Sequence, residues 1–436
     1  MTSFAYKRYR TSIADIFEEE KQLELQLLVE RKLAEANADY GKIPQEAAKE
    51  INQFVRLKNI PLKRVKEIEK ETQHDLFSVV LAATEVCPNY GQYIHLGATS
   101  SDIQDTVTAL QLKKAKDVLL EHMDNLLLVL IRLAKKYRDL VCIGRTHGKH
   151  AIPITYGFKF ANFLNELYIT KENLMKNTIY GKLSGAVGTY AAYGTNEIEK
   201  DVMQKLGLES SMISTQVVPR IVYFNFISSI IAVGAVLDKL AKELRNLQRT
   251  EIGEVSEAFG KKQVGSSTMP QKQNPWRLER INGIARYLRS LLPSTVENVS
   301  LDHERDMSNS STERIIIPQV ITLTDFSLLE MIEILNGLTI NEENVERNLF
   351  LLKGRQCSEK LLVKLTSSIG RQRAHKIIHN LTKEEDFVYA VKNHPQIRTL
   401  FSDKEIDEIL DPLTYIGLAP EIVDLVVKNI GGKLER

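Results

Sequence analysis

The densest chemistry in the chain lies in Gly265-Ser266-Ser267-Thr268-Met269-Pro270-Gln271-Lys272-Gln273-Asn274-Pro275. Two prolines fix φ and withhold backbone donors, so the segment is not helical throughout. Met269 and Asn274, each preceding a proline, are pushed toward extended geometry. Asn274-Pro275 reads as a helix cap followed by the first helical position. Upstream, Lys261-Lys262-Gln263-Val264-Gly265 is polar and ends in glycine, as a mobile loop does. A hydroxyl pair, a flexible entry, a rigid exit and Lys272 suit a lid that closes over an anion. The bland alternative for Gly-Ser-Ser alone is a surface turn.

Two further stretches carry anion chemistry. After Gly97, which breaks the chain, Thr99, Ser100 and Ser101 lead into a long helical pattern. Hydroxyls there are ordinary caps, and the same free N–H groups and dipole attract a carboxylate. Asp302-His303-Glu304-Arg305-Asp306 is a charge cluster ahead of Ser310, which forms an S-x-x-E capping box with Glu313. Either this is a cap behind a solvated charge run, or hydroxyls, N–H groups and Arg314 hold a phosphate. Thr72-Gln73-His74-Asp75 places a histidine beside an aspartate, ordinarily a surface cap. Arg145-Thr146-His147-Gly148-Lys149-His150 is a loop closed by Pro153, with no H-E-x-x-H or cysteine pair to make it a metal site. Gly181 to Tyr190 is glycine-rich without P-loop order, which points to close packing. Arg8-Tyr9-Arg10 is by itself only a basic tail.

Long helices must position these groups. Residues 98–143 contain neither proline nor glycine, and apolar residues from Val107 to Leu133 keep helical spacing. About 40 residues at about 1.5 Å each give a helix of about 60 Å, the length found in bundles and oligomers. Comparable patterns cover residues 154–180, 221–259, 275–297 and 313–336. Shorter amphipathic helices cover residues 17–40 and start at Pro44 and Pro61. The expectation is an all-α chain with three helical domains: residues 1–98, a central long-helix bundle at 99–340 that tetramerises into a larger helical core, and a small helical domain at 341–436.

Composition excludes other classes. The 436 residues are 43% hydrophobic and 26% charged, with a net charge of +2. That balance argues against a general nucleic-acid binder. Cys87, Cys142 and Cys357 are far apart and read as buried thiols in a reducing compartment. The N-terminus shows no apolar signal segment, and the most apolar run, residues 226–237, is too short to cross a bilayer. A cytoplasmic protein without membrane contact is expected.

The run G-S-S-x-M-P-x-K-x-N-P resembles the signature of the fumarase/aspartase superfamily, lyases that eliminate fumarate from substituted succinates. Thr72–Asp75, His95-Leu96-Gly97-Ala98-Thr99-Ser100-Ser101-Asp102, Arg145–Ala151 and His303 through Arg314, with Arg8-Tyr9, resemble the adenylosuccinate lyase family in particular. The resemblance runs end to end. It departs at Thr268, Gln273 and Asn309, where alanine, arginine and histidine are common. It implies cleavage of adenylosuccinate to AMP and fumarate, and of SAICAR to AICAR, without metal or redox cofactor. Ser266 is then the base and His147 the acid. Gln73, His74, Asp75 and His95 contact substrate. Thr99, Ser100, Gln216, Ser267, Lys272 and Asn274 hold the succinyl part, and Arg8, Tyr9, Arg305, Ser310 and Arg314 hold the phosphate. The family also implies a homotetramer with shared active sites. The alternatives are a lyase acting on argininosuccinate, or a silent structural relative, which would be expected to lack Ser266 or His147.

Overall fold

The computed structural model describes residues 7–260 and 262–434. The residues 1–6 that were searched for a signal segment, and Lys261 of the loop entry, lie outside the described residues. The helices are, in chain order, α1 (Glu19–Asp39), α2 (Gln45–Phe54), α3 (Leu62–Thr72), α4 (Asp75–Glu85), α5 (Ser100–Lys136), α6 (Tyr156–Met175), α7 (Glu197–Leu206), α8 (Ile221–Leu247), α9 (Trp276–Ser290), α10 (Leu292–Glu297), α11 (Ser308–Asn336) and α12 (Glu342–Phe350), followed by shorter C-terminal helices. The all-α expectation is met. In α5, Leu112, Ala115, Leu119, Met123, Leu126, Leu130 and Ala134 are all buried, a spacing of three or four that keeps one stripe inward.

The structure corrects several local expectations. Residues 141–155 are a β-hairpin, β1 (Val141–Thr146) paired antiparallel with β2 (Lys149–Thr155), not a loop. Val141, Cys142 and Ile143 are β-formers, and Thr146 pairs with Lys149, leaving His147-Gly148 as a two-residue turn. Both turn residues have positive φ (54° and 72°), the conformation of a type I′ turn. The helix expected over 221–259 stops at Leu247, and Gly253 turns the chain at φ 60°. The pattern over 275–297 is two helices, divided at Leu291 with Pro293 in the first turn of the second.

The capping box does not form. α11 begins at Ser308, whose N–H is taken by Asp306 Oδ1 at 2.6 Å, so Ser310 lies inside the first turn. Glu313 instead ion-pairs with Arg220 at 2.9 Å. Nor does Asn274 cap α9, which starts at Trp276, one residue beyond the expected first helical position at Pro275. The Asn274 amide donates to the Gly265 carbonyl at 3.0 Å, closing the base of the serine loop. The expectation that no apolar segment is long enough for a bilayer also fails by length: α8 and α11, of 27 and 29 residues, pass on length and composition. At least half of each apolar window is buried inside the fold.

Two compact units divide the chain. The first comprises residues 1–123, 170–235 and 283–329. In it α1 packs on α2 and α7, with Leu23, Leu27, Ile51 and Leu76 buried. The glycine-rich stretch is indeed close packing. A Cβ on Gly181 would sit 2.3 Å from Met203 Sδ, and one on Gly188 2.0 Å from the Ser214 carbonyl. The second unit comprises residues 124–169, 236–282 and 330–436. There the hairpin packs on α12. The C-terminal helices share a core of residues such as Cys357, Leu361, Phe387, Val391 and Ile406. All three cysteines are free and buried.

Candidate active site

In the first unit, the start of α5 is organised by a buried charge pair. Asp102 accepts from the Thr99 N–H (2.9 Å), from the Ser184 and Gly185 N–H groups (3.1 and 3.2 Å), and from Lys182 Nζ. Asp102 and Lys182 are both fully buried. The pair anchors the glycine-rich stretch beneath the Thr99-Ser100 turn. Neither residue was singled out from sequence, because their meeting joins positions 80 apart.

Arg305 donates to Ser101 Oγ at 2.9 Å and to Gln216 Oε1 at 3.0 Å, and the Gln216 N–H donates to the Glu304 carbonyl. The hydroxyl run, Gln216 and the charge cluster are thereby brought together. Beside them, Arg305, Ser310 and Arg314 line one cavity, with Gln104, Arg220 and Glu313. Sequence reasoning missed Arg220, which is buried and grips Asp105 with two bonds of 2.8 Å. Pro219 before the helix start hinted at the turn, not at the charge. Burial pushes the Glu313 carboxyl above the usual range even beside Arg220.

At the start of α4, His74 is the N-cap: its Nδ1 accepts the Phe77 N–H at 3.2 Å. The ring's proton therefore sits on Nε2, available to a ligand. Gln73 is left-handed (φ 54°) and its amide donates to Lys70 O. Asp75 accepts from Gln104 (3.1 Å) and from Arg314. Burial alone would raise the Asp75 carboxyl, but the Arg314 guanidinium and the Leu76 N–H hold it below the usual range. His95 Nδ1 lies 2.7 Å from Glu30 Oε1. Arg8 is exposed, and the Tyr9 ring stands edge-on to Phe326 at 5.2 Å.

In the second unit, His147 sits exposed at the tip of the hairpin. The hairpin is pinned by Glu254, which is fully buried and accepts from Arg145 near the tip, from the hydroxyl of Tyr156 just past the base (2.6 Å) and from Asn348 (2.8 Å). The serine loop folds on itself. Ser266 Oγ accepts the backbone N–H groups of Met269 (3.0 Å) and Thr268 (3.3 Å). Gly265 packs so tightly that a Cβ would lie 2.1 Å from the Lys272 carbonyl. Ser267 and Lys272 are exposed, and Asn274 is spent on the loop base. No hydrogen bond joins His147 to the serine loop among the described residues.

Left-handed backbone concentrates on these motifs. Of the non-glycine residues with positive φ, Gln73, His95, His147 and His303 all fall in the segments picked out from sequence. Such conformations cost about 1–3 kcal/mol each and gather at functional sites.

Known proteins share both the sequence pattern and the fold of this chain. The lyase family pattern matches residues 5–289, and one described as adenylosuccinate lyase C-terminus matches residues 354–426. The chain is 45% identical to the adenylosuccinate lyase of Pyrococcus abyssi, over 95% of this chain and 94% of that one. It is 42% identical to that of Methanocaldococcus jannaschii, covering 98% and 95%. The fold matches the 3-carboxy-cis,cis-muconate lactonizing enzyme of Pseudomonas putida over the full length of both chains, with TM-score 0.87 and 26% identity. A fumarate lyase from Mesorhizobium sp. BNC1 shares the fold at TM-score 0.88, covering 96% and 98% with 24% identity. By family pattern, full-length identity and fold, the chain belongs to the adenylosuccinate lyases.

Proposed function

We propose that the chain catalyses β-elimination of fumarate from adenylosuccinate, giving AMP, and from SAICAR, giving AICAR. One observation carries the chemistry: Ser266 Oγ is the acceptor of two backbone N–H groups in a loop that no helix constrains. A serine hydroxyl is a weak base until its alkoxide is stabilised, and aligned N–H donors supply that stabilisation. Ser266 takes the proton from the carbon beside the succinyl carboxylate. The electron pair forms the fumarate double bond as the carbon–nitrogen bond breaks, and His147 gives a proton to the departing nitrogen. Lys272, Ser267 and Asn274 of the loop, with Thr99, Ser100 and Gln216, hold the succinyl carboxylates. His74 and His95 orient them. Arg305, Ser310 and Arg314, lining one cavity, take the nucleotide phosphate with Arg8 and Tyr9. No step draws on a metal or redox cofactor.

The site is shared between copies of the chain in a cytoplasmic homotetramer. The 37-residue α5 rises about 55 Å from the Thr99-Ser100 turn at its start, and the His147 hairpin follows its far end in sequence. A succinyl-nucleotide does not span that distance, and antiparallel packing against symmetry mates removes it. Incubation with adenylosuccinate and, separately, argininosuccinate tests the substrate. Fumarate released from adenylosuccinate alone is the expected result, and release from argininosuccinate alone would overturn it.

A further inference from the structure

Glu30, in the middle of α1, is about 1% exposed. A carboxylate so deeply buried costs several kcal/mol unless a partner offsets it. Its partner is the His95 ring, with Nδ1 at 2.7 Å from Oε1. Seven residues on, two turns along the same helix face, Asn37 is equally buried and donates from Nδ2 to the Leu96 carbonyl at 3.1 Å. α1 therefore clasps the His95 turn at two consecutive positions, one on the side chain and one on the backbone.

The turn itself is held in a costly shape. His95 has φ 65° and its carbonyl accepts the Ala98 N–H. Gly97, at φ 82°, lies flat against the Tyr193 ring, where a Cβ would come within 2.5 Å. The Tyr193 hydroxyl and Glu30 Oε2 are both buried without a hydrogen-bond partner among the described residues. The ring edge bearing Nε2 belongs to a side chain that remains 19% exposed, while Glu30 is sealed off.

We propose that Glu30 is a positioning residue for His95, fixing the imidazole through Nδ1 so that Nε2–H is presented as a charged donor to a substrate carboxylate. The proposal rests on the reading of His95 as a substrate contact. An ionised carboxylate only accepts, so Nδ1 carries a proton. With both nitrogens protonated, the ring is a cation facing an anionic ligand. The charges around it are Glu30 from α1 and Asp102 from α5, the latter matched by Lys182; Glu199 of α7 reaches Tyr193. Burial would depress the ring, but Glu30 and Asp102 outweigh it and raise its titration above the ordinary histidine value. The cation thus persists below that raised value and is lost as pH climbs through it.

The test is Glu30→Gln, which keeps shape and removes charge, read by the pH profile of adenylosuccinate cleavage and by NMR titration of labelled histidine. The variant's His95 titration should fall below that of the wild type. The KM rise on the alkaline side should begin at correspondingly lower pH, reaching about tenfold per unit, with kcat at saturation little changed. A wild-type His95 titration in folded Glu30→Gln would overturn the positioning role. His95→Asn separates the two claims. An unchanged KM there removes His95 from the substrate site, whatever Glu30 does to its ring; a raised KM, with an unshifted Glu30→Gln profile, sinks only the proposal for Glu30.

Discussion

Arg314 is ion-paired with Asp75, joining the second turn of α11 to the first residue of α4 across 239 positions of sequence. Each belongs to a motif read separately from the sequence, and the pair ties the cavity lined by Arg305, Ser310 and Arg314, the proposed phosphate site, to the histidine-capped helix start. Its side chains remain partly exposed, at 57% and 37%, so a ligand phosphate can reach the guanidinium.

Replacing Arg314 with alanine removes a charged hydrogen-bond donor worth about 1.5–3 kcal/mol. The KM for adenylosuccinate should rise about 10–100-fold while kcat changes little, since the phosphate is held alike in ground and transition states. Steady-state kinetics decide it. An unchanged KM would move the phosphate to another basic group.

Gly265→Ala tests the serine loop. The added Cβ meets the Lys272 carbonyl and forces the hairpin-like closure apart. Displacing Ser266 by about 1 Å is expected to lower kcat by about 10²-fold. The loop is largely exposed, so the melting temperature should stay within a few degrees. A large loss of stability with normal kcat would contradict this role.

Glu254 fastens the hairpin that carries His147. Burial alone would raise its carboxyl, but bonds from Arg145 and Tyr156 hold it below the ordinary glutamate value. A depressed folded-state pKa contributes stability above the unfolded value, lost as pH falls through the folded one. Glu254→Gln should therefore cost about 1–3 kcal/mol near neutral pH. Denaturant unfolding at several pH values should show the gap narrowing under acid. A gap constant down through the acid range would refute the charge's part.

Local signals in the sequence marked out individual segments better than the long-range contacts that hold them. Chain continuity made α5 legible, since no proline or glycine interrupts residues 98–143, although the helix itself stops at Lys136 and gives way to β1. The serine loop was legible because two prolines and a glycine are local signals. The hairpin was not, for a two-residue His-Gly turn lacks the usual Asn-Gly mark and its strands adjoin a 37-residue helix. Ser310 resembled a cap because S-x-x-E is a local rule, whereas Glu313 was claimed by Arg220, far away in the sequence. The supports, Lys182 beneath Thr99 and Glu30 behind His95, are long-range pairings that spacing cannot disclose.

Shared sites predict complementation. Inactive His147→Gln and inactive Ser266→Ala proteins, unfolded and refolded together, should regain activity, with up to about a quarter of sites holding both intact residues. Hybrid assemblies without activity would place both residues in sites built from one chain.

The account turns on Ser266 as the base. Turnover of adenylosuccinate by Ser266→Ala, with its binding measured at equilibrium on the same preparation, tests this most directly. The predicted result is substrate affinity within a few-fold of wild type and a kcat lower by about 10³-fold or more. A Ser266→Ala protein that releases fumarate at nearly the wild-type rate would contradict it.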